Sequence, residues 1–434
     1  MCPKGKHVPK RPHVLITGCA ASRLRGWSPL GRLEAKREET MINAAEYVSL
    51  GHPDSTADAI ASYLLDRYLE EDPKARFALE VQLKDHTVNL AGEVTSSFKP
   101  SDAEMAEMVR AAIRKVGYTA VYAAKWPEGA TLNAEKVKVN NFVGRQSPEI
   151  ARGVDCDRWG DQGVMMGMAT ACKSFAHFPQ DVYLARQIGR RLYRAALERE
   201  APIGLDIKVL VSLADTKAEI GNDIEQVIVA APMRPQNLSS AQPFIRRVVE
   251  EMAGSFCGAR IGEIVINGTG AYVTHSSVGD AGVVGRKLAV NFYGLNCPVG
   301  GGAPWGKDPT KSDVTLNLYA RYLSLRKVLE NPEYGTVRTK IACCIGKREI
   351  LVSQEGEGLP LCQTSMEAPV SKIVETLGLD GRMGKDTFFE MCRDGLFSKV
   401  DQLAERSGHH GLNRVEGGVK MNLSGFCVSV PLYL

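Results

Sequence analysis

The chain has 434 residues, of which 44% are hydrophobic and 24% are charged. This composition is typical of a globular protein with two to four domains or one large intertwined unit. No apolar run approaches the roughly 18 residues that a membrane helix needs, so we expect no membrane partner. Residues 1–40 hold nine Lys or Arg and three Glu, a net charge of +6, while the whole chain carries +4. The rest is therefore at −2, which gives no reason to expect nucleic acid as a partner.

The basic segment 1–40 is predicted to be a disordered N-terminal extension. Its apolar core at residues 14–17 has only four residues, against about 7–15 in a secretory signal peptide. Secretion or lipidation is therefore a minor alternative. A second alternative is that the native chain starts at Met41, which mass spectrometry of the N-terminal peptide would test.

The eleven cysteines include no CxxC pair. In a chain of this length, that pattern favours reduced, mostly buried thiols and a cytoplasmic protein over a disulfide framework.

Strand and helix periodicities alternate along the chain, and the short hairpins favour antiparallel pairing in an α+β protein. Two strands followed by a helix occur three times, at about 76–116, 206–253 and 336–378, which suggests an internal triplication. The predicted elements, in chain order, are a helix that ends near 72, strands 76–83 and 87–95, helix 102–116, an irregular segment 123–160, helix 180–200, strands 207–213 and 226–231, helix 242–253, strands 263–267, 272–275 and 287–293, helix 314–330, and strands 336–345 and 349–354.

The stretch GGGAPWGKDPTKSD at residues 300–313 combines glycines with two lysines and two aspartates. Bare backbone amides, ammonium groups and carboxylates together suit a polyphosphate and its divalent cation. The stretch is not a P-loop, because no GK[ST] ends the glycine run. A solvated Gly/Pro surface loop is the alternative.

Two other motifs place polar groups beside a predicted element. GHPD at 51–54 sets His52 and Asp54 before a helix, where an anion could bind, although Asp54 could be only an N-cap and His52 only a turn residue. Asp206 and Lys208 face one side of a strand and suit a ribose hydroxyl and a phosphate. The similar sequence ADTK at 214–217 falls on a turn, where polar residues need no explanation.

GDAGVVGRK at 279–287 ends in an adjacent Arg and Lys, which suit a phosphate or could be a solvated charge pair. Glu80 alternates with apolar neighbours and is predicted to be solvent-exposed. Taken together, the motifs indicate a triphosphate clamp with Asp54 and Asp313 as Mg²⁺ ligands. Its cations are Lys208, Arg286, Lys287, Lys307 and Lys311.

These motifs resemble, in order, those of the S-adenosylmethionine synthetase (methionine adenosyltransferase) family over residues 41–346. The matching segments are GHPD at 51–54, GEVTS at 92–96, RQSPEIARGVD at 145–155, GDQGVMMGMAT at 160–170, DIK at 206–208, INGTGAYV at 266–273, GDAGVVGRK at 279–287 and GGGAPWGKDPTKSD at 300–313.

The resemblance implies an α+β fold of three intertwined, pseudo-repeated domains, each with a mainly antiparallel sheet and helices on one face. We place the domains at 41–150, 151–272 and 273–434, the last divergent after about 353. It also implies transfer of adenosyl from ATP to methionine sulfur, two Mg²⁺ per site and K⁺. A homodimer or homotetramer with sites shared between subunits is implied as well.

The resemblance also implies a role for each matching residue. The catalytic group would be His52, Lys208, Arg286 and Lys307. ATP would contact His52, Asp206, Ile207, Lys208, Ala271, Tyr272, Asp280, Arg286, Lys287, Ala303 and Lys307. Methionine would contact Glu93, Gln146, Asp161, Asp280 and Lys311. Asp54 and Asp313 would bind Mg²⁺, Glu80 would bind K⁺, and residues 146–156 would close over the site.

The chain departs from the family pattern at five positions near these motifs. Two further interpretations therefore stay open: a nucleotide-binding or regulatory paralogue without turnover, and an adenosyltransferase for a methionine analogue. The five positions are Leu50, Ser55, Val299, Pro304 and Trp305.

Overall fold

The computed structural model describes residues 43–145, 156–198, 201–213, 224–257, 260–382 and 384–409. Residues Met41–Leu434 form one compact unit. The expectations for segment 1–40, for Gln146 and for most of the predicted closing loop lie outside the described residues. The domain boundaries stay predictions.

Helices and strands alternate through these ranges. The strands are β1 (Asn43–Val48), β2 (Arg76–Lys84), β3 (Thr87–Thr95), β4 (Lys138–Gly144), β5 (Gly163–Thr170), β6 (Lys208–Leu213), β7 (Ile224–Ala230), β8 (Ile261–Ile266), β9 (Gly282–Val283), β10 (Thr336–Cys343), β11 (Glu349–Gly356) and β12 (Leu359–Glu367). The helices are α1 (Pro53–Glu71), α2 (Asp102–Val116), α3 (Ala120–Ala123), α4 (Gln180–Leu197), α5 (Leu238–Cys257), α6 (Leu288–Asn291), α7 (Ser312–Glu330), α8 (Val370–Thr376), α9 (Thr387–Asp394) and α10 (Ser398–His409).

The strands form three four-stranded sheets, in the orders β1-β6-β7-β8, β4-β3-β2-β9 and β12-β11-β10-β5. Pairing is antiparallel except between β3 and β4 and between β7 and β8. Each sheet takes a strand from a distant part of the chain, because β1 pairs with β6, β5 with β10 and β2 with β9. The predicted α+β class with mainly antiparallel sheets is confirmed.

The structure corrects several predicted elements. Residues 272–275 have no regular structure, and the predicted strand at 287–293 contains the short helix α6. The strand β4 lies within the segment predicted as a loop, and β12 was not predicted. Both β4 and β12 are exposed at most positions, so neither carries the hydrophobic alternation that marks a strand.

The helix α1 lies at the centre of the fold, against α2, β2, β9 and α9. It was predicted to be amphipathic, yet every residue from Pro53 to Ser62 is buried. Its buried aspartates Asp54, Asp58 and Asp66 accept backbone N–H groups from later segments, which explains how a polar face can be buried. No helix in the described ranges is long and apolar enough to cross a membrane.

Candidate active site

The turn before α1 places a histidine at the N-terminal end of the helix. The alternative that Asp54 is only an N-cap is wrong, because His52 is the N-cap residue and its Nδ1 accepts the Asp54 backbone N–H at 3.1 Å. His52 is 1% exposed. Burial, followed by the charges of Lys208 and Lys287, lowers its pKa to about 3. The imidazole is therefore neutral at neutral pH, and its proton lies on Nε2 because Nδ1 is an acceptor.

Asp54 is buried between β9 and two cationic side chains. Its Oδ1 accepts the Val283 backbone N–H at 2.8 Å, and its Oδ2 forms a hydrogen-bonded ion pair with Lys287 Nζ. Arg286 Nη1 lies 3.7 Å from Oδ1. Burial alone would raise the pKa of Asp54, but the hydrogen bonds from Lys287 and Val283 outweigh it and hold the pKa below its ordinary value. Asp54 is therefore a buried, ionised carboxylate.

Asp206 lies two residues before the start of β6, and hydrogen bonds from neighbouring segments hold the main chain there. Ser49 Oγ accepts the Ile207 N–H at 2.9 Å, and the Tyr272 hydroxyl donates to the Asp206 carbonyl at 3.0 Å. Asp206 Oδ2 accepts the Ser276 N–H at 2.9 Å, whereas Oδ1 is buried and has no hydrogen-bond partner in the part of the chain that the structure describes. Burial raises the pKa of Asp206 to about 6.

Lys208, the first residue of β6, is exposed and pairs with Val48 of β1. The charges of Lys208 and Asp280 influence the pKa values of both His52 and Asp206, so these groups lie close together. We call this set the first charged cluster. Its members are His52, Asp54, Asp206, Lys208, Asp280, Arg286 and Lys287.

One edge of β2 holds two later segments of the chain. Gln82 pairs with Val283 of β9, and Ala78 forms an isolated bridge with Lys307. Gln82 is four positions along β2 from Ala78, so the two attachments are about 13 Å apart along the strand. The first charged cluster and Lys307 are thus placed along the same strand edge.

Lys307 and Asp313 form a second charged cluster within the glycine-rich stretch. The Lys307 Nζ lies 2.5 Å from Asp313 Oδ2. Gly302 has φ +78°, and a Cβ there would lie 2.0 Å from the Asp313 carboxylate, so only glycine allows this approach. Asp313 belongs to the first turn of α7, and Lys311 is the N-cap residue of that helix.

The segments that carry the two charged clusters come together at Gly285 and Ala303. A Cβ added to Gly285 would lie 2.5 Å from the Ala303 Cβ. Gly285 directly precedes Arg286, so the loop that carries Arg286 and Lys287 contacts the glycine-rich stretch. The structure therefore brings together the phosphate-binding candidates that the sequence predicted in three separate segments.

Asp161, one of the residues predicted to contact methionine, lies near the second cluster. Its backbone carbonyl accepts a weak hydrogen bond from Cys343 Sγ at 3.6 Å. Burial raises the pKa of the Cys343 thiol, and the charges of Asp161 and Asp313 act in the same direction. Cys343 therefore lies close to both carboxylates.

Glu93 and Glu80 lie on the exposed face of the β2–β3 pair. Glu93 is opposite Ala78, which in turn is opposite Lys307, so the side chains in this row share one face. Glu80 is two residues from Ala78 on the same strand and projects from that face too. Glu80 is exposed, which confirms the prediction made from its neighbours.

The five departures from the family pattern are mostly packing residues. Leu50 and Trp305 belong to the hydrophobic core, at 4% and 3% exposure. Ser55 and Pro304 are buried, and Val299 packs against the core from its surface. The structure therefore places these differences at packed positions and not among the members of the two clusters.

The sequence analysis did not predict a role for Asp58. This residue of α1 holds the loop that carries Arg286 and Lys287 of the first charged cluster. Its Oδ1 accepts the Gly285 N–H at 2.7 Å. Burial raises its pKa to about 8. The spacing of four residues from Asp54 could have placed both aspartates on one helix face, but it would not have shown that this face is buried.

No three His, Cys, Asp or Glu side chains in the described ranges are grouped closely enough to hold a metal ion. Mg²⁺ often takes only one or two carboxylates, with phosphate oxygens and water as its other ligands. The ionised Asp54, which lies beside phosphate-binding candidates, fits that requirement.

Comparison with known proteins identifies the family. The family model of the S-adenosylmethionine synthetase N-terminal domain matches residues 40–148, and the family model of the C-terminal domain matches residues 274–379. The S-adenosylmethionine synthase of Wolinella succinogenes is 34% identical over 74% of this chain and 82% of its own length. That of Paracoccus denitrificans is 36% identical over 65% of this chain and 72% of its own length.

A solved structure agrees with this result. The structure described as an unusual S-adenosylmethionine synthetase from Campylobacter jejuni covers 84% of this chain and 99% of its own, with a TM-score of 0.71 and 26% identity. The chain therefore belongs to the S-adenosylmethionine synthetase family.

Proposed function

We propose that this protein is a methionine adenosyltransferase that converts ATP, L-methionine and water into S-adenosylmethionine, phosphate and diphosphate. The observation that carries the proposal is the alignment of two lysine–carboxylate pairs, Asp54–Lys287 and Lys307–Asp313, along one edge of β2. A polyphosphate leaving group requires several cations held in place before the reaction. Membership of the family supports this assignment.

The protein does not need to activate the nucleophile strongly. A thioether sulfur is already nucleophilic, so methionine needs orientation toward the ATP C5′ more than activation. The sulfur forms a bond to C5′ while the bond from C5′ to the tripolyphosphate oxygen breaks and that oxygen keeps the electron pair. A second step hydrolyses the tripolyphosphate. The protein acts mainly by stabilising negative charge on the leaving group.

The first charged cluster would stabilise the departing oxygen. Neutral His52 would donate a hydrogen bond from Nε2, and Lys208, Arg286 and Lys287 would contact phosphate oxygens. Lys307 would do the same at the other end of the β2 edge. In this assignment each ammonium moves from its carboxylate partner to a phosphate when ATP binds.

The remaining residues would bind the two organic parts of the substrates. Asp206 would bind the ribose, with Ile207, Ala271, Tyr272 and Ala303 around the adenosine. The methionine set would be Glu93, Gln146, Asp161, Asp280 and Lys311.

Mg²⁺ would be held by Asp54 and Asp313 together with phosphate oxygens. When bound, it would neutralise phosphate charge and favour departure of the tripolyphosphate. Glu80 is proposed as a K⁺ ligand because the family resemblance implies it, and its carboxylate is exposed on the β2–β3 face. The family resemblance likewise leads us to propose a homodimer or homotetramer with sites shared between subunits.

The test is an assay of the purified full chain with ATP, methionine, Mg²⁺ and K⁺, in which S-adenosylmethionine, phosphate and diphosphate are measured together. We expect all three products in equal amounts. Asp54→Asn serves as the site variant and Glu128→Gln, whose side chain is 91% exposed, as its matched control. Omission of methionine separates adenosyl transfer from simple ATP hydrolysis.

Two outcomes would change the assignment. Binding of ATP without any of the three products would make the protein a nucleotide-binding paralogue without turnover. Product formation with a methionine analogue but not with methionine would keep the assigned reaction type, adenosyl transfer, and would change the assigned substrate.

A further inference from the structure

The 3₁₀ turn Ser276–Val278, between β8 and β9, begins with a serine in a backbone conformation that favours glycine. Ser276 has φ +57° and is 1% exposed. A left-handed conformation is unfavourable for a residue with a side chain, because its Cβ comes too close to the following carbonyl oxygen. The Ser276 Oγ accepts the Leu132 N–H at 2.9 Å, which tethers the residue and offsets part of that strain.

The backbone of Ser276 holds two candidate substrate ligands. Its N–H donates to Asp206 Oδ2 at 2.9 Å. Its carbonyl accepts the N–H groups of Gly279 and Asp280, each at 3.0 Å. The strained residue therefore sets how Asp206 and Asp280 lie relative to each other.

A buried polar network centred on His275 also holds this turn in place. His275 is 1% exposed, and its Nδ1 lies 2.7 Å from the Val273 carbonyl. Its Nε2 lies 2.8 Å from the Tyr122 hydroxyl, which accepts the Leu205 N–H at 3.1 Å. The network thus connects the turn to the residue before Asp206.

These contacts leave one oxygen of Asp206 available. Oδ2 is occupied by the Ser276 N–H, whereas Oδ1 is buried and has no partner among the described residues. A buried acceptor without a donor is unfavourable, and a hydroxyl group would satisfy it. The fixed direction of Oδ1 makes it suitable for selecting one hydroxyl of a sugar.

We propose that Ser276 is a positioning residue that orients Asp206 toward one ribose hydroxyl and thereby sets a preference for ATP over the deoxy analogue that lacks that hydroxyl. The inference rests on the proposed function, because it assumes that Asp206 faces the nucleoside of ATP. It adds a specificity-determining residue that contacts Asp206 and not the substrate.

The test is calorimetric binding of ATP, 2′-deoxyATP and 3′-deoxyATP to the full chain in the presence of Mg²⁺. For the wild type we expect about 10–100-fold weaker binding of the analogue that lacks the hydroxyl facing Oδ1, the value of one hydrogen bond to a charged group. Ser276→Ala keeps the strained backbone and removes the tether, so we expect this preference to be lost. Ser276→Gly adopts the left-handed conformation without strain and should retain most of it.

Two further variants make the result decisive. Ser277→Ala is the matched control, because Ser277 is equally buried but its Oγ donates to the Asp85 carbonyl at 2.6 Å; it should keep the wild-type preference. Ser276→Cys offers a weaker acceptor of similar size and should reduce the preference even if Ser276→Ala does not fold. A wild-type preference in folded Ser276→Ala or Ser276→Cys would overturn the proposal.

A wild type that binds none of the three nucleotides would contradict the proposed function instead. Crystal structures of the wild type, Ser276→Ala and Ser276→Gly then decide the positioning role. Rotation of the Asp206 carboxylate in Ser276→Ala but not in Ser276→Gly supports it. An unchanged carboxylate in both variants overturns it.

Discussion

Asp58 Oδ1 accepts the backbone N–H of Gly285 at 2.7 Å, across 227 residues of sequence. The next two residues after Gly285 are Arg286 and Lys287, both proposed to bind phosphate. A buried carboxyl group on α1 therefore fixes the loop that presents these cations.

Asp58→Asn tests this contact through the pH dependence of stability. Burial raises the pKa of folded Asp58 to about 8, above the value near 3.9 in an unfolded chain. Its contribution to stability is therefore complete below about pH 4 and is lost as the pH rises through 8. The asparagine cannot ionise, so the variant should gain stability relative to the wild type by about 1 kcal/mol per pH unit between pH 5 and 7.

Denaturant unfolding at several pH values measures this difference. Asp394→Asn is the control, because that carboxylate is 49% exposed and should give a curve parallel to the wild type. Parallel curves for Asp58→Asn as well would contradict the buried, protonated state of Asp58.

Lys307→Ala should reduce turnover by about 10²–10³-fold, because a fixed donor to a developing negative charge has that typical value. The loss should fall mainly on kcat, since the leaving-group charge is greatest in the transition state. Steady-state rates of S-adenosylmethionine formation measure it. Lys372→Ala, with a side chain that is 68% exposed, is the control, and unchanged turnover in Lys307→Ala would remove this lysine from the site.

Binding of ATP should depend on the ionisation of Asp206. Burial raises its pKa to about 6, and the ionised form is the better acceptor for a ribose hydroxyl. Affinity should therefore increase as the pH rises from 5 to 7. Calorimetric titration of ATP into the wild type and into Asp206→Asn separates this effect from the titration of ATP itself. Only the wild type should show the additional rise in affinity that comes from ionisation of Asp206. Identical pH profiles for the two proteins would contradict the prediction.

His52 should not titrate in the physiological range, because its pKa is about 3. A pH–rate profile between pH 5 and 8 should therefore change little in shape when His52 is replaced by Asn, even though the rate falls. A limb that disappears in His52→Asn would show that the imidazole ionises in this range.

Arg321 of α7 is a stability determinant far from the charged clusters. It is fully buried, its Nε donates to Asp401 Oδ1 at 2.8 Å, and its Nη1 donates to the Met168 carbonyl at 2.6 Å. Arg321→Met leaves the partly buried Asp401 and the Met168 carbonyl without this donor and should lower the free energy of unfolding by about 3 kcal/mol. Arg326→Met removes only a helix-surface ion pair and should cost about 0.5 kcal/mol or less; similar losses in the two variants would contradict the importance of the buried pair.

The sequence predicted what depends on local pattern. The helices α1, α2, α4 and α7 were found within a few residues, and Gly117 has the left-handed φ of 110° that its position predicted. Motif residues such as Lys208 and Lys287 could be named because their types suit phosphate. Lys208 and Lys287 lie close together because β1 pairs with β6 and β2 pairs with β9. Local sequence patterns do not predict these long-range pairings.

Other features of the site could not have been predicted for physical reasons. The strand β4 lies on an exposed surface and lacks alternation. His52 replaced Asp54 as the helix cap because the Asp54 carboxylate bonds Val283 and Lys287 instead. The left-handed backbone of Ser276 has no sequence signal, since serine rarely adopts it.

The buried aspartates of α1 also bear on how the chain acquires its structure. Asp54 and Asp58 find their N–H donors 229 and 227 residues later, and Asp66 finds its donors at Phe388 and Phe389, 322 and 323 residues later. Contacts this distant slow folding, and during synthesis they cannot form until the C-terminal part has left the ribosome. A nascent chain that ends before Phe388 would hold Asp66 without its donors. We therefore expect a truncated chain to be destabilised around α1 as well as near the missing end.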